Sequence, residues 1–238
     1  MQLPAPLYSG NLLRRYKRFL ADIRLETGEE ITAHCPNPGR MIGLTEPGSK
    51  VWLSRSDNPK RKLPFTLELM EINGSLVGIN TTHPNDIVSE AIKENMIPDL
   101  YGYKTLKREV NYGQRSRIDI LLDDEVRGRC WVEVKNVHLR RDSRLGYGIA
   151  EFPDSVTERG ARHINEIVNQ VIAGDRGILI FLVQRIDCRY FKIAKDIDPN
   201  YYKTLLGGIE AGLEVLCFDT SICLKSIKLR DKLEIILK

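Results

Sequence analysis

Charged residues inside two strand-like apolar segments place the strongest constraint on how this chain folds. Segments 116–122 and 131–137 are rich in apolar and β-branched residues and are bounded by polar turns, so each predicts a largely buried β-strand. Asp119 lies inside the first segment, and Glu133 and Lys135 lie inside the second. Charges at buried positions are costly unless they are paired or bound to a metal ion. The three residues therefore predict either a functional site or an ion-paired cluster.

These three side chains suit a metal-dependent phosphodiesterase. Strand side chains alternate between two faces, so Glu133 and Lys135 project from one side, and Asp119 joins them if the strands form a hairpin. Two carboxylates and the carbonyl oxygen of Val134 suit Mg²⁺ or Mn²⁺, while Lys135 would position water and neutralise a phosphate. This is the pattern of the PD-(D/E)xK nucleases, although such spacings also arise by chance. The alternative is an edge strand whose acids merely pair with Lys135.

Composition sets few further limits on function. The 238 residues are 42% hydrophobic and 29% charged, which is typical of a globular protein of one large or two modest domains. A net charge of +4 only mildly favours anionic partners. Five cysteines without CxxC spacing argue against a disulfide framework or a zinc site. Because no leader-like N-terminus or membrane-length apolar run is present, we expect a cytoplasmic protein without a membrane partner.

The N-terminal third predicts a small closed β-barrel. Five strand-like runs are separated by turns rich in Gly, Pro and Asn, and they cover 19–25, 30–35, 50–56, 65–72 and 75–80. Asn73-Gly74 between the last two runs predicts a tight hairpin. Five short strands favour an OB-like barrel, the small all-β domain that we place at residues 1–82.

Basic residues of the barrel region are candidates for contact with a nucleic-acid backbone, because OB barrels often bind single strands through charge and stacking. Cations alternate with the aromatic residues Tyr16 and Phe19, and others lie in a polar loop and a Pro/Gly turn. The candidates are Arg14, Arg15, Lys17, Arg18, Arg40, Lys60, Arg61 and Lys62. The alternative is a solvated basic surface with both aromatic rings inside the barrel, since a fold alone does not give a function.

Residues 83–238 predict an α/β domain. In order, the pattern predicts a helix at 84–96, strands at 107–112, 116–123 and 129–137, a helix after a Ser155–Glu158 capping box, a strand at 176–184, a helix capped by Asp198, a strand at 213–218 and a strand pair in 221–238. The core order α-βββ-α-β is that of the restriction-endonuclease-like fold. The two charged strands are second and third in the run of three, as the site requires.

Other residues of this domain are secondary candidates. Glu90 either points from the first helix toward the sheet and reaches the metal or is a surface acid. Gln184 ends the buried strand, where ligands often gather in α/β sheets. Segment 138–157 is a long loop that could close over phosphate. The basic candidates in this domain are Arg140, Arg141, Arg144, Arg159, Arg162 and His163, the last three at the start of a helix.

Seven longer segments carry a family resemblance. They are HCPNPGRM at 34–41, SDNPKRKLPFTLEL at 56–69, GINTTHPNDIVSEAI at 78–92, YGQRSRIDILL at 112–122, WVEVKNV at 131–137, FPDSVTERGARH at 152–163 and FLVQRID at 181–187. Together they resemble the sugar fermentation stimulation protein A family over nearly the whole chain. The resemblance implies an OB-like domain, a PD-(D/E)xK-like domain, DNA binding with little sequence preference and a regulatory role in maltose metabolism.

The resemblance also implies a set of site residues. Glu90, Asp119, Glu133 and Lys135 match the family's nuclease-type site, and Gln184 is a further member. The first hypothesis is a DNA-binding phosphodiesterase that uses Mg²⁺ or Mn²⁺, held by the three acids. The second is a non-catalytic DNA-binding regulator, and the third is an adaptor protein. The sequence does not indicate whether the DNA is single-stranded or double-stranded. A homodimer is an open alternative, because many nucleases of this fold dimerise to cut both strands.

Overall fold

The computed structural model describes residues 1–112, 116–142 and 146–237, and its N-terminal third is a closed barrel. The strands are β1 (Tyr8–Tyr16), β2 (Leu20–Leu25), β3 (Glu30–His34), β4 (Lys50–Arg55), β5 (Phe65–Ile72) and β6 (Ser75–Gly78). They form one sheet in the order β3-β2-β1-β4-β5-β6, and an additional pairing of β3 with β5 closes it. Inward-facing apolar residues such as Leu12, Ile23 and Leu67 fill the barrel.

The prediction of a five-stranded OB-like barrel is confirmed, but the five strands are β1 to β5. The sequence pattern does not predict β1, because Gly10 and the charged pair Arg14-Arg15 interrupt its alternation of apolar and polar residues. The run at 75–80 contains β6, which pairs with β5 through a hairpin at Asn73-Gly74 and lies outside the closed ring.

The rest of the chain is an α/β domain built on a mixed sheet. Its elements begin with α1 (Pro84–Lys93), a 3₁₀ turn (Pro98–Leu100), β7 (Thr105–Tyr112), β8 (Ser116–Asp124), β9 (Gly128–Val137), β10 (Leu139–Asp142) and β11 (Gly148–Phe152). They continue with α2 (Glu158–Ile172), β12 (Arg176–Val183), β13 (Cys188–Ile193), α3 (Pro199–Glu210), β14 (Glu214–Ile222), β15 (Ile227–Lys232) and β16 (Glu234–Ile236). The six-stranded sheet has the order β15-β14-β12-β9-β8-β7, and β12 is parallel to both neighbours.

The apolar strand β12 divides the core between the two faces of this sheet. Ile178 and Ile180 pack on one side with residues of α1, whereas Leu179 and Phe181 pack on the other side with residues of α2 and α3. Alternate residues of one strand therefore serve two apolar clusters, which explains why this segment is apolar without interruption. The predicted order α-βββ-α-β is confirmed as the core of the domain. None of the described helices is long and apolar enough to cross a membrane.

Several predicted elements differ from the structure. Segment 138–157 is not a simple loop, since it forms β10 and β11 in a second sheet of order β10-β11-β13-β16. The sequence pattern does not predict β13, whose charged residues obscure its alternation. The two tail strands do not pair with each other, because β15 joins β14 and β16 joins β13. Arg144 lies outside the described residues.

The start of α2 also differs from prediction. Thr157 caps this helix, because its Oγ1 accepts a hydrogen bond from Gly160 N at 3.1 Å. Ser155 instead donates its hydroxyl to Asp154 at 3.3 Å. The predicted Ser155–Glu158 capping box is therefore wrong, whereas the predicted Asp198 cap of α3 is confirmed by its bond from Tyr201 N at 2.9 Å.

The barrel contacts the α/β domain along one edge. Gly78 N donates to Gln184 O at 3.0 Å at the ends of β6 and β12. In the turn that follows β3, Met41 N donates to Asp154 Oδ2 at 2.9 Å, and Asn37 Nδ2 lies 3.2 Å from His138 Nδ1. The Pro/Gly turn at 36–41 therefore lies against the elements that follow β9 and β11.

We expect Gly10→Ala to destabilise the protein by about 1–3 kcal/mol, as overpacked core positions do. A Cβ at Gly10 would lie 2.6 Å from the carbonyl oxygen of Arg24, in the backbone of the paired strand β2. Urea unfolding measures the change. Gly207→Ala is the control, because no atom lies within 4 Å of its Cβ position, and an alanine within α3 is expected to be neutral or stabilising. Equal midpoints for the two variants would contradict the close packing of β1 on β2.

Candidate functional site

Strands β8 and β9 stop pairing at the position of the two acids. Their antiparallel ladder runs from Asp124–Gly128 to Ile120–Val132, so Asp119 and Glu133 form the next opposed pair and share a face. At that point Asp119 Oδ2 accepts a hydrogen bond from Val134 N at 2.8 Å. A side-chain carboxylate thus occupies the position at which main-chain pairing would continue. The predicted convergence of Asp119 on Glu133 through a hairpin agrees with this geometry.

Glu133 is held by two nitrogen donors. It is 3% exposed, and its Oε1 accepts from Lys135 Nζ at 2.6 Å and lies 2.5 Å from His163 Nδ1. His163 Nε2 accepts from Arg159 Nε at 3.2 Å, which assigns the proton of the ring to Nδ1 and makes Nδ1 the donor to Glu133. The other oxygen, Glu133 Oε2, is buried and has no hydrogen-bond partner among the described residues.

The two carboxylates differ in their electrostatic environment. Burial raises the pKa of Asp119 to about 6, and the charge of Glu133 adds to this effect, while Val134, Lys135 and Asn85 oppose it. Burial also disfavours ionisation of Glu133, but Lys135 and His163 outweigh it, and the pKa of Glu133 is lowered. The site therefore combines one carboxylate that is ionised at neutral pH with a second that exchanges its proton near pH 6.

These residues line a cleft of about 330 Å³ between the barrel and the α/β domain. Pro38 and Thr81 border it on the barrel side, and Thr157, Arg159 and Gly160 border it at the start of α2. Main-chain N–H groups at the start of a helix, together with its dipole, favour an anion there. The cleft thus combines acidic groups at its base with a region that favours phosphate at its rim.

The donor set fits a hard divalent cation. Asp119 and the unpartnered Oε2 of Glu133 are oxygen donors, and Mg²⁺ is commonly held by one or two carboxylates while it keeps several waters. Across residues 1–112, 116–142 and 146–237, no three His, Cys, Asp or Glu side chains are grouped closely enough to hold a metal. An ion at this position would therefore depend on main-chain oxygen, water or a bound phosphate for its remaining ligands.

The structure brings Asp119, Glu133 and Lys135 together, but not Glu90. Asn85 at the start of α1 donates to Asp119 Oδ1 at 2.8 Å, and a residue five positions later is rotated by about 140° around the helix. Glu90 Oε2 instead pairs with the amino group of Met1 at 2.5 Å. The expectation that Glu90 reaches the two acids is therefore not met.

Gln184 lies beneath the cleft and does not line it. Its side chain is fully buried, and Nε2 donates to Asn136 Oδ1 at 2.8 Å. Asn136 itself lines the cleft, one residue after Lys135. Gln184 is thus placed to orient Asn136 and to join β12 to the barrel through its main-chain contact with Gly78.

Four of the predicted basic contacts are held by ion pairs or by main-chain carbonyl oxygens. Arg15 donates to Asn37 O and Gly39 O, each at 2.8 Å, and so supports the 36–41 turn. Arg14 pairs with Asp22, Arg140 with Asp142 and Asp187, and Arg141 with Glu151 and Asp196. The other described arginine and lysine candidates have exposed side chains, and they are Lys17, Arg18, Arg40, Lys60, Arg61, Lys62, Arg159 and Arg162.

Two partners of the acids were not predicted in these roles. The sequence suggests His163 as a phosphate contact, but its ring is buried and bonds to Glu133. A histidine beside Ile164 and Ile167 on the apolar face of α2 is the signal that could have indicated this. Asn85 has no such signal, because only the packing of α1 against β8 brings it to Asp119.

An OB barrel joined to a restriction-endonuclease-like α/β domain defines the class of this protein. Residues 13–79 match the family model described as SfsA N-terminal OB domain, and residues 82–226 match the one described as Sugar fermentation stimulation protein RE domain. Together they span most of the chain. The chain therefore belongs to the sugar fermentation stimulation protein family, as the sequence segments predict.

Known proteins support this assignment. The chain is 57% identical to the sugar fermentation stimulation protein homolog of Rhodospirillum centenum, across 91% of each protein. It is 53% identical to the homolog of Maricaulis maris, across 92% of this chain and 91% of that protein. It also resembles the solved structure of Pyrococcus furiosus SfsA in complex with Ca²⁺, with 27% identity, a TM-score of 0.87 and coverage of 99% and 98%. The predicted fold class is therefore confirmed.

We expect Asp119→Asn to stabilise the metal-free protein above pH 6 by about 1–2 kcal/mol. The folded protein keeps Asp119 protonated up to about pH 6, whereas the ordinary pKa is 3.8, so wild-type stability falls as the pH rises through this interval. An asparagine carries no proton to lose, and its advantage should disappear below pH 4. Urea unfolding in the presence of a chelator measures the difference at each pH.

Asp123→Asn provides the control for this comparison, because Asp123 lies on the same strand with an exposed side chain. We expect it to change stability by less than about 0.5 kcal/mol at any pH, as exposed substitutions do. An effect of Asp119→Asn that does not vary with pH would contradict the raised pKa of Asp119.

Proposed function

We propose that this protein is a DNA-binding phosphodiesterase that depends on Mg²⁺ or Mn²⁺. The observation that carries the proposal is the opposed pair Asp119 and Glu133 at the point where β8 and β9 part, with Lys135 Nζ 2.6 Å from Glu133. Two acids and an amine on neighbouring strands of a restriction-endonuclease-like domain are the groups that metal-assisted hydrolysis of a phosphodiester requires. The position of Glu133, which is 3% exposed at the base of a cleft, supports a functional site over a solvated ion-pair cluster.

The divalent cation is the part of the proposal that the relatives support. The Pyrococcus furiosus structure was determined in complex with Ca²⁺, which like Mg²⁺ is a hard cation that binds oxygen ligands. In this chain Asp119 and Oε2 of Glu133 would hold the ion. Such an ion supplies Lewis-acid stabilisation of phosphoryl oxygens and lowers the pKa of water.

The residues around the acids have separate roles in this proposal. Lys135 provides a positive charge beside the position of the attacked phosphate, and it orients the attacking water through its free N–H groups. Arg159 and the first main-chain N–H groups of α2 bind the non-bridging oxygens of the phosphate. His163 fixes the orientation of Glu133 by donating from Nδ1, so that Oε2 points away from the donors and remains free. Asn85 fixes the orientation of Asp119 by donating to Oδ1.

A second candidate is a non-catalytic DNA-binding regulatory factor, such as one acting in sugar (maltose) metabolism. The relatives' names refer to sugar fermentation. The described residues also lack a third acidic or histidine ligand at the cleft, as expected of a nuclease fold that retains binding but has lost catalysis. The two candidates differ in whether a divalent cation makes the protein hydrolyse DNA.

We expect purified protein to degrade DNA in Mg²⁺ or Mn²⁺, and Lys135→Ala and Glu133→Gln to reduce the rate by at least about a hundredfold. Lys135→Ala removes the positive charge beside the attacked phosphate, and Glu133→Gln removes a carboxylate that would hold the cation. Glu90→Gln is the control, because Glu90 pairs with Met1 away from the cleft, and it should retain wild-type activity. The release of labelled oligonucleotides measures the rate.

Three results would contradict parts of this proposal. Persistent cleavage by Lys135→Ala and Glu133→Gln would assign the activity to another site. Loss of cleavage in Glu90→Gln would indicate that Glu90 is a metal ligand after all. Binding of DNA without hydrolysis in any divalent cation would favour the regulatory factor.

Metal binding should depend on pH through Asp119. A protonated carboxylate does not ligate a cation, and the pKa of Asp119 is raised to about 6. We therefore expect Mn²⁺ to bind more weakly at pH 5.5 than at pH 7.5, and Glu133→Gln to abolish binding at both. Isothermal titration calorimetry without DNA measures this. Equal affinity at the two pH values would exclude Asp119 as a ligand.

A further inference from the structure

The turn between β1 and β2 presents an aromatic ring that the proposed hydrolysis does not use. Phe19 is 46% exposed, and its ring stacks on that of His34 with centroids 6.5 Å apart and 21° between the planes. Lys17 and Arg18, which precede it, have φ values of 48° and 63°, a backbone conformation that is uncommon for residues with a side chain. The turn thus holds a flat apolar surface next to two exposed cations.

A second basic loop lies near the same ring. The β4–β5 loop carries exposed Lys60, Arg61 and Lys62, and Arg61 donates to Thr66 Oγ1 at 2.7 Å. Burial lowers the pKa of His34, and the charge of Arg61 lowers it further, so the guanidinium is close enough to act on the imidazole. The loops after β1 and β4 are those through which OB barrels contact oligonucleotides. Phe19 therefore lies in one of the two loops expected to bind a strand, and His34, which it stacks on, lies near the other.

A groove leads from this turn to the acids. Arg18 borders a groove of about 340 Å³ that continues along the 36–41 turn and the start of α2. It shares five lining residues with the cleft of Asp119 and Glu133, and these are Pro38, Thr81, Asn136, Phe152 and Thr157. The two cavities therefore adjoin between the barrel and the α/β domain, and we call the pair the channel, which has Arg18 at one end and Lys135 at the other.

The walls of the channel are firmly held. On the barrel side, Arg15 bonds to the carbonyl oxygens of the 36–41 turn, and Asp154 Oδ2 accepts from Met41 N. Two acids line the groove, but both are engaged, because Asp154 bonds to this turn and Glu151 Oε2 lies 3.0 Å from Arg141. Their charges are thus partly neutralised, and they oppose a passing phosphate less than free carboxylates would.

We propose that the substrate is a single strand of nucleic acid, with one base stacked on Phe19 and the backbone following the groove past Arg18 to Asp119, Glu133 and Lys135. The cleavage part of this inference rests on the proposed function, whereas the binding part does not. In a duplex the bases stack on one another and are not free to stack on a side chain, but every base of a single strand has a free face. Glu133, which is 3% exposed at the base of a walled cleft, also favours one flexible strand over a rigid double helix.

Binding is tested in a chelator, so that no hydrolysis takes place. The probe is labelled oligothymidine of about 20 nucleotides, longer than the ~4–16 nucleotides that one OB barrel covers, and the reference is a duplex of equal length. We expect Phe19→Ala to weaken single-strand binding by about 5- to 100-fold, the loss of one stacked base, with little change for the duplex. Phe19→Trp should retain wild-type affinity. Fluorescence anisotropy measures the affinity of each variant, and of the wild-type protein, for the single strand and for the duplex.

Two controls separate this path from general effects. Tyr101→Ala removes an aromatic ring of similar exposure, 43%. Tyr101 lies near the start of β12, where Arg176 bonds to Asp99 O, whereas the barrel meets the opposite end of β12. This substitution should leave both affinities unchanged. Arg18→Glu should weaken single-strand binding and flatten its dependence on salt, because fewer counterions are released. Lys203→Glu, the matched reversal on the exposed surface of α3, should have a smaller effect.

The outcomes separate this inference from the proposed function. Equal losses for single strand and duplex in Phe19→Ala, or no loss for either, would overturn the inference. Faster hydrolysis of the duplex than of the single strand in Mn²⁺ would also overturn it. Single-strand binding that depends on Phe19 without hydrolysis in any cation would support the binding path and overturn the phosphodiesterase proposal instead.

Discussion

The hydrogen bond from Val134 N to Asp119 is the interaction on which the candidate site depends. Two carboxylates opposed on adjacent buried strands repel each other. Continued main-chain pairing would hold them side by side in a sheet from which water is excluded. When Asp119 accepts the Val134 N–H, the ladder ends and a cleft opens between the strands. The charge of Glu133 is then stabilised by the ammonium group of Lys135 and by the hydrogen bond from His163, which explains why the pKa values of the two acids move in opposite directions.

The barrel contributes to this site through one turn and through Thr81, which follows β6. The Pro/Gly turn at 36–41 is held from its own side by Arg15 and from the other side by Asp154, and Pro38 from this turn borders both the cleft and the groove. Gln184 bonds Asn136 of the cleft and the main chain of Gly78 in the barrel. The two parts of the chain are therefore joined by the same residues that shape the approach to the acids, which makes the barrel a part of the site.

Local chemistry explains which predictions succeeded. The alternation of Ile118, Ile120 and Leu122, the uninterrupted apolar run of β12 and the Asp198 cap each act over a few residues, and all three are found as expected. The failures lie where another element decides the outcome. Charged strands such as β1 and β10 have arginines paired with acids, as Arg14 is with Asp22 and Arg140 with Asp142. Thr157 rather than Ser155 caps α2, and Asp198 from the start of α3 accepts a hydrogen bond from Thr157 N.

The sequence by itself determined that Glu133 and Lys135 would share one face of a strand, because the two-residue period of a strand is a local property of the backbone. Asp119 was expected to join them only if the two strands formed a hairpin, and the pairing of β8 with β9 opposes it to Glu133. Only the tertiary structure decided the partners of these residues. The rotation of α1 brought Asn85 to Asp119 and directed Glu90 to Met1, and the packing of α2 placed His163 against Glu133. It also joined the groove at Arg18 to the cleft at Lys135. Contacts between segments far apart in the chain depend on packing angles, and no local pattern encodes these.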